Sequence, residues 1–155
     1  MKKIIGLLLL MIFFTRCEEY QPTNQHLSVL VDLTDTDSYK PNADEIFSYI
    51  SQGHSSDGLN ITLRYVMETR YAPSHQFQLT TGAVGFLSNE DTRRRKRKRL
   101  LSQFKDTLTN YKRGLSPRSE IFRLVVDELS KLCKLKGKRR LLLFADLKEH
   151  SFYSV

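Results

Sequence analysis

The chain has 155 residues and a formal net charge of +8, a length that suits one ordinary domain with a single core. Its two cysteines, Cys17 and Cys133, are too few for a disulfide framework. The charge is unevenly placed: residues 17–91 carry 3 Lys/Arg against 11 Asp/Glu, and residues 92–155 carry 19 against 6, an asymmetry that bears on partners rather than on fold.

Lys2 and Lys3 precede an apolar run over residues 4–14, and Cys17 follows shortly after. Eleven apolar residues are too few to cross a bilayer as a mature helix. Charge, length and cysteine position together resemble a bacterial lipoprotein leader. The resemblance implies cleavage before Cys17, so that this residue carries the lipid; Arg16 departs from the small residue usual there. Glu18 and Glu19 resemble the acidic tag of surface-exposed lipoproteins of the Bacteroidetes, which implies a lipid anchor at the cell envelope, on the outer membrane. The expected organisation is a signal peptide over 1–16, a lipidated cysteine and polar tether over 17–26, and one domain over 27–155.

The domain opens on residues 26–38, HLSVLVDLTDTDS. Leu27, Val29 and Val31 line one face and the other is nearly apolar, which is how a strand buried on both sides reads. It ends in Asp32, Thr34, Asp35, Thr36 and Asp37, a cluster of oxygen ligands suited to a hard cation. Asn42 is placed to cap a helix over 43–51, with Asp44 and Glu45 in its first turn and Ile46, Phe47 and Ile50 on its buried face. Residues 53–58 read as a turn in which His54 is solvated. Ile61, Leu63, Tyr65 and Met67 alternate in a strand over 60–67, and residues 76–80 form its hairpin partner.

Ser88 is expected to cap the next helix, with Asp91 three places on. That helix begins with seven consecutive cations, Arg93, Arg94, Arg95, Lys96, Arg97, Lys98 and Arg99, a run that must be solvated, paired or bound to something anionic. Leu100, Leu101, Phe104, Leu108 and Tyr111 then return to helical spacing, and Gly114 is expected to end the helix. Ser116 and Pro117 open another, whose apolar side is Ile121, Phe122, Val125, Leu129 and Leu132. Cys133 on that side, near Val126, reads as a small core hydrophobe. Residues 134–140 form a basic connector into a second buried strand, Leu141 to Ala145, with Asp146 at its end.

Strand, Asp-x-Thr-x-Thr, helix, hairpin, two helices and an apolar strand ending Ala-Asp resemble a von Willebrand factor type A domain. Asp32, Thr34 and Thr36 match the family's first metal motif, with threonine keeping each hydroxyl. Asp146 matches its last, and Ser119 is the nearest equivalent of its middle one, with Ser116 second. The resemblance implies a three-layer Rossmann-like α/β sandwich: a mostly parallel sheet, one antiparallel edge hairpin, and helices on both faces. It also implies Mg²⁺ or Mn²⁺ held by Asp32, Thr34, Thr36, Ser119 and Asp146. The family continues past this strand, so the resemblance further implies a sheet cut short or reduced at Val155.

The donor chemistry stands without the family. Two hydroxyls and one or two carboxylates bring few formal charges, so a Mg²⁺ or Mn²⁺ there stays electrophilic and an acidic group of a protein partner can complete its octahedron. Asp35 and Asp37 are expected to face solvent. The sequence carries no phosphate-cradling glycine loop, zinc spacing or nucleophile elbow, and Thr34 stands where a haloacid-type phosphatase needs an aspartate. His26, His54, His75 and His150 are scattered, so an enzyme is not expected. The competing expectation is a polyanion-binding lipoprotein, in which residues 93–99 contact DNA or anionic envelope material without reading sequence.

Overall fold

The strand that reads as buried on both faces lies in the middle of the sheet. The computed structural model describes residues 20–32, 41–50, 53–54, 56–66, 74–82, 89–110 and 121–145. Among these the chain has an α/β fold of four strands and three helices. In chain order they are β1 (Asn24–Asp32), α1 (Ala43–Ile50), β2 (Gly58–Val66), β3 (Ser74–Leu79), α2 (Glu90–Asn110), α3 (Ile121–Cys133) and β4 (Lys138–Phe144). No helix among the described residues is long and apolar enough to cross a membrane.

The strand order is β3-β2-β1-β4. β1 runs parallel to β2 in the register Asn24↔Gly58 to Asp32↔Val66, and parallel to β4 from Gln25↔Lys138 to Val31↔Phe144. β3 returns antiparallel to β2, with Ile61 opposite Phe77. The hairpin is therefore at one edge, as the alternation of β2 predicts, and β4 forms the other. Parallel neighbours on both sides and cover on both faces explain why β1 is buried from Leu27 through Asp32.

Side-chain alternation divides the core in two. On one face Leu27, Val29 and Val31 of β1 and Ile61, Leu63 and Tyr65 of β2 pack with Ile46 and Ile50 of α1 and Leu100 and Phe104 of α2. Phe104 is fully buried, its ring 5.7 Å from that of Phe47 and 5.5 Å from that of Phe77. The Tyr65 hydroxyl donates to the Thr107 carbonyl at 3.2 Å, tying α2 to the sheet. On the other face Leu30, Val66 and Ile121 form a smaller cluster with Leu124, Val125, Leu141 and Leu143.

Two helix starts test the capping expectations. Asn42 caps α1, its Oδ1 accepting the Asp44 N–H at 2.9 Å. For α2 the cap is Asn89, whose Oδ1 accepts the Thr92 N–H at 3.1 Å; the expected cap, Ser88, lies outside the described residues. The apolar side expected for α3 is only partly inward. Ile121 and Leu132 are buried, whereas Phe122, Val126 and Leu129 are 62%, 63% and 45% exposed, and Cys133 is exposed rather than in the core. The apolar arc of this helix is wider than the strip of sheet beneath it. Residues 138–140 of the expected basic connector are the start of β4.

Gly137 turns the chain from α3 into β4 with φ = +106°, a region that penalises any side chain. A Cβ there would also overlap the Asn24 carbonyl oxygen at the start of β1. Gly137→Ala is expected to lower unfolding free energy by about 1–3 kcal/mol, read as a lower urea midpoint at unchanged slope.

Candidate functional site

The carboxyl ends of three neighbouring strands form a rim. Asp32 closes β1 there at 2% exposure, opposite Val66 of β2, and the preceding residue Val31 pairs with Phe144 of β4. Polypeptide thus leaves β4 beside Asp32, two positions before Asp146 in the sequence. Thr34, Thr36, Ser119 and Asp146, and the lipidation candidate Cys17, lie outside the described residues. Among the described residues no group of three His, Cys, Asp or Glu side chains is arranged to hold a metal ion. Asp32 is the one member of the expected metal set that lies among the described residues.

The basic run has two roles rather than one. Arg93 and Arg97 fall on the inward stripe of α2 with Leu100 and Phe104. The Arg93 guanidinium donates to the Thr80 carbonyl at 2.7 Å, to the Ser56 carbonyl at 3.1 Å and to the Asp57 carbonyl. Arg97 donates to the Ile50 carbonyl at 3.0 Å, at the end of α1. Burial, together with the adjacent Arg97 charge, lowers the Arg93 pKa from its ordinary value. Arg94, Arg95, Lys96, Lys98 and Arg99 are exposed, so five of the seven cations face solvent, with Arg95 Nε near the Asp91 carbonyl at 3.4 Å. Two of the seven residues expected to form a polyanion patch instead hold loops.

The loop they hold is organised by Asp57, which is 3% exposed. Its Oδ1 accepts from the Tyr20 hydroxyl at 2.6 Å and the Thr23 N–H at 2.9 Å; its Oδ2 accepts from the His54 N–H at 3.0 Å and Gln25 Nε2 at 3.2 Å. Burial acts to raise its pKa, but the hydrogen bonds from Tyr20, Thr23, Gln25 and His54 outweigh it and hold the carboxyl below its ordinary value of 3.8. His54 is exposed as expected, with its ring 4.1 Å from that of Tyr20.

A second buried carboxylate lies on the face that α3 covers. Glu128 accepts from the Ser28 hydroxyl at 2.9 Å, pairs with Arg64 at 2.7 Å and with Lys131 at 2.9 Å. Desolvation opposes its charge; the Lys131 and Ser28 hydrogen bonds and the Arg64 charge prevail, leaving its pKa below the ordinary 4.5. Beside it a cavity of about 280 Å³ is lined by polar groups of the sheet, among them Asn60, Thr62, Ser74 and Gln76. The sequence reading missed both Asp57 and Glu128. The available signal for Glu128 was its spacing, since it shares the inward stripe of Ile121, Leu124, Val125 and Leu132.

Arg93→Ala leaves three loop carbonyls without their charged donor and is expected to cost about 1.5–3 kcal/mol, whereas Arg94→Ala on the solvent side should stay within about 0.5 kcal/mol; chemical denaturation of the two variants measures the contrast. Folding favours the ionised forms of Asp57 and Glu128. The stability they supply is therefore complete above the ordinary carboxylate range and is lost as pH falls through their lower folded-state values. Urea midpoints followed down from about pH 6 should drop below about pH 4, and less steeply in Asp57→Asn.

Comparison with protein-family models, with curated protein sequences and with solved structures finds no match for this chain.

Proposed function

We propose that the chain is an envelope lipoprotein whose domain is a metal-dependent protein-binding module of the von Willebrand A type. The observation that carries this reading is the burial of Asp32 at the carboxyl end of the central parallel strand. Two further features support it: the single antiparallel hairpin at the sheet edge, and the convergence of the ends of β1 and β4. In its finer form the proposed architecture is a three-layer Rossmann-like sandwich. Its support is the packing of α1 and α2 against Val29 and Val31 while α3 packs against Leu30.

The donor set fits a hard cation. Asp32 would supply a carboxylate, Thr34, Thr36 and Ser119 neutral hydroxyls, and Asp146 a second carboxylate near the outlet of β4. Mg²⁺ or Mn²⁺ bound by so few charges would present an electrophilic position to an acidic group of a partner protein. Asp32 itself, held opposite Val66 of β2, would set the depth of the site. Lipid on Cys17 would tether the module to the membrane through residues 18–25.

A second reading rests on a separate observation, the five exposed cations on the solvent side of α2. They would bind DNA or other polyanions without sequence recognition, with log affinity falling against log salt by about 0.9 per phosphate contact on duplex DNA.

Thermal unfolding of the full-length chain in detergent tests the metal reading. Saturation by Mg²⁺ or Mn²⁺ should stabilise the native state, by about 2.7 kcal/mol at a hundredfold excess over Kd, with reversal by EDTA and loss of the effect in Asp32→Asn. A melt indifferent to both ions in the parent chain would remove the metal site. Salt-sensitive binding to DNA that disappears when Arg94, Arg95, Lys96, Lys98 and Arg99 are replaced by Gln would then favour the second reading.

A further inference from the structure

The N-terminal segment joins the sheet at the end opposite the proposed metal rim. Of residues 18–25, which would tether the module, Tyr20 and Thr23 are bound to Asp57, and Asn24 and Gln25 already belong to β1. Two residues are left between Cys17 and Tyr20. An extended chain covers at most about 11 Å over that interval, so an acyl chain on Cys17 would hold the Asp57 turn at the bilayer surface.

Cations gather at the same end of the sheet from two directions. The parallel register sets the amino ends of β1, β2 and β4 side by side, with Asn24 opposite Gly58 and Gln25 opposite Lys138. α2 starts there, since Arg93 near its beginning donates to the Ser56, Asp57 and Thr80 carbonyls. Arg94, Arg95, Lys96, Lys98 and Arg99 follow on its solvent side and are exposed. α3 ends there as well, for the His26 ring of β1 lies 3.0 Å from the Lys136 carbonyl in the turn into β4. Lys134, Lys136, Lys138 and Arg139 of that turn and strand are likewise exposed. Arg95 and Arg139 donate to the Asp91 and Cys133 carbonyls, but among the described residues none of these side chains is in an ion pair. Glu90 and Asp91, exposed in the first turn of α2, offset only part of this charge.

We propose, on the reading of Cys17 as the lipid-bearing residue, that this end of the domain lies against the membrane and binds the phosphate groups of anionic lipids. The rim at the carboxyl ends of β1 and β4 then points away from the bilayer, toward a protein partner. An anionic membrane surface attracts clustered Lys and Arg beside an anchor, and an acyl chain with a basic surface holds more firmly than either alone. Because one group of cations comes from α2 and the other from the approach to β4, the contact fixes the domain's orientation as well as its attachment. Duplex DNA fits less well, since the anchor that brings these cations to the bilayer would also screen them from it.

The test uses the full-length chain, expressed in a bacterial host, with a fluorophore on exposed Cys133 at the end of α3. It is placed in vesicles of phosphatidylcholine, alone or mixed equally with phosphatidylglycerol. A quencher on the lipid headgroup should dim the label at least twofold more in the anionic vesicles, with the excess lost at high salt. The excess should also disappear when the five exposed α2 cations are replaced by Gln, and when Lys134, Lys136, Lys138 and Arg139 are; circular dichroism establishes that both variants are folded. A label at exposed Asp106, further along α2, placed by Asp106→Cys with Cys133→Ser, should show no such excess. Equal quenching in neutral and anionic vesicles, or the same excess at position 106, would overturn the membrane-facing surface while leaving the lipid reading intact. Label stoichiometry checks that reading separately: an acylated Cys17 leaves one reactive thiol per chain, whereas two labels per chain overturn the lipid anchor and the orientation with it. Salt-sensitive binding of duplex DNA by a chain that shows no excess in anionic vesicles would assign the cations to nucleic acid instead.

Discussion

Two parallel ladders on a single nine-residue strand hold this domain together. β1 hydrogen-bonds to β2 on one side and β4 on the other, and each helix packs on residues that β1 places on one face or the other. A one-residue slip of β1 would exchange Val29 for Leu30 and carry Ser28 away from Glu128. It would also displace Asp32 from the rim. The register of one strand thus fixes both cores, the buried ion pair and the position of the carboxylate proposed to hold a cation.

Around that strand the protein uses ionic groups as internal fasteners. Asp57 gathers the N-terminal segment and the turn before β2, while Arg93 closes the same turn from α2 through main-chain carbonyls. Glu128 does the corresponding work on the opposite face. Asp57 and Glu128 are each surrounded by hydrogen-bond partners, the condition under which burial of a charge is tolerated. Contacts also join the acidic and basic halves of the chain internally: Arg64 pairs with Glu128, and Arg93 donates to the Asp57 main-chain carbonyl.

The elements set by local pattern were legible in the sequence. Near-continuous apolarity identified β1 as central, alternation identified β2 as half of a hairpin, and Asn42 announced α1. What depended on distant partners was not legible. The carbonyls that Arg93 bonds come from Ser56, Asp57 and Thr80, and nothing in a run of seven cations marks which of them turn inward. Phe122, Leu129 and Cys133 belong to a real apolar arc, but its width exceeds what one flank of the sheet can cover. At the candidate site, Asp32 was legible because a carboxylate closing a buried strand is unusual in composition. The polar cleft beside Glu128 was not, because it is assembled from residues on three strands and a helix that are far apart in sequence.

The ladder between β1 and β4 also governs the order in which the fold can be completed. The Ser28–Glu128 contact closes a span of 100 residues, and the strand that completes this side of the sheet is the last of the seven elements among the described residues. β1 and β2 can meet as soon as residues 24–66 have left the ribosome, but one edge of β1 must wait until residue 144 has followed. Parallel pairing across such a distance bears a large loop-closure entropy and is intrinsically slow. During that interval the most deeply buried of the described strands presents a bare edge, the kind of transiently exposed surface that favours aggregation.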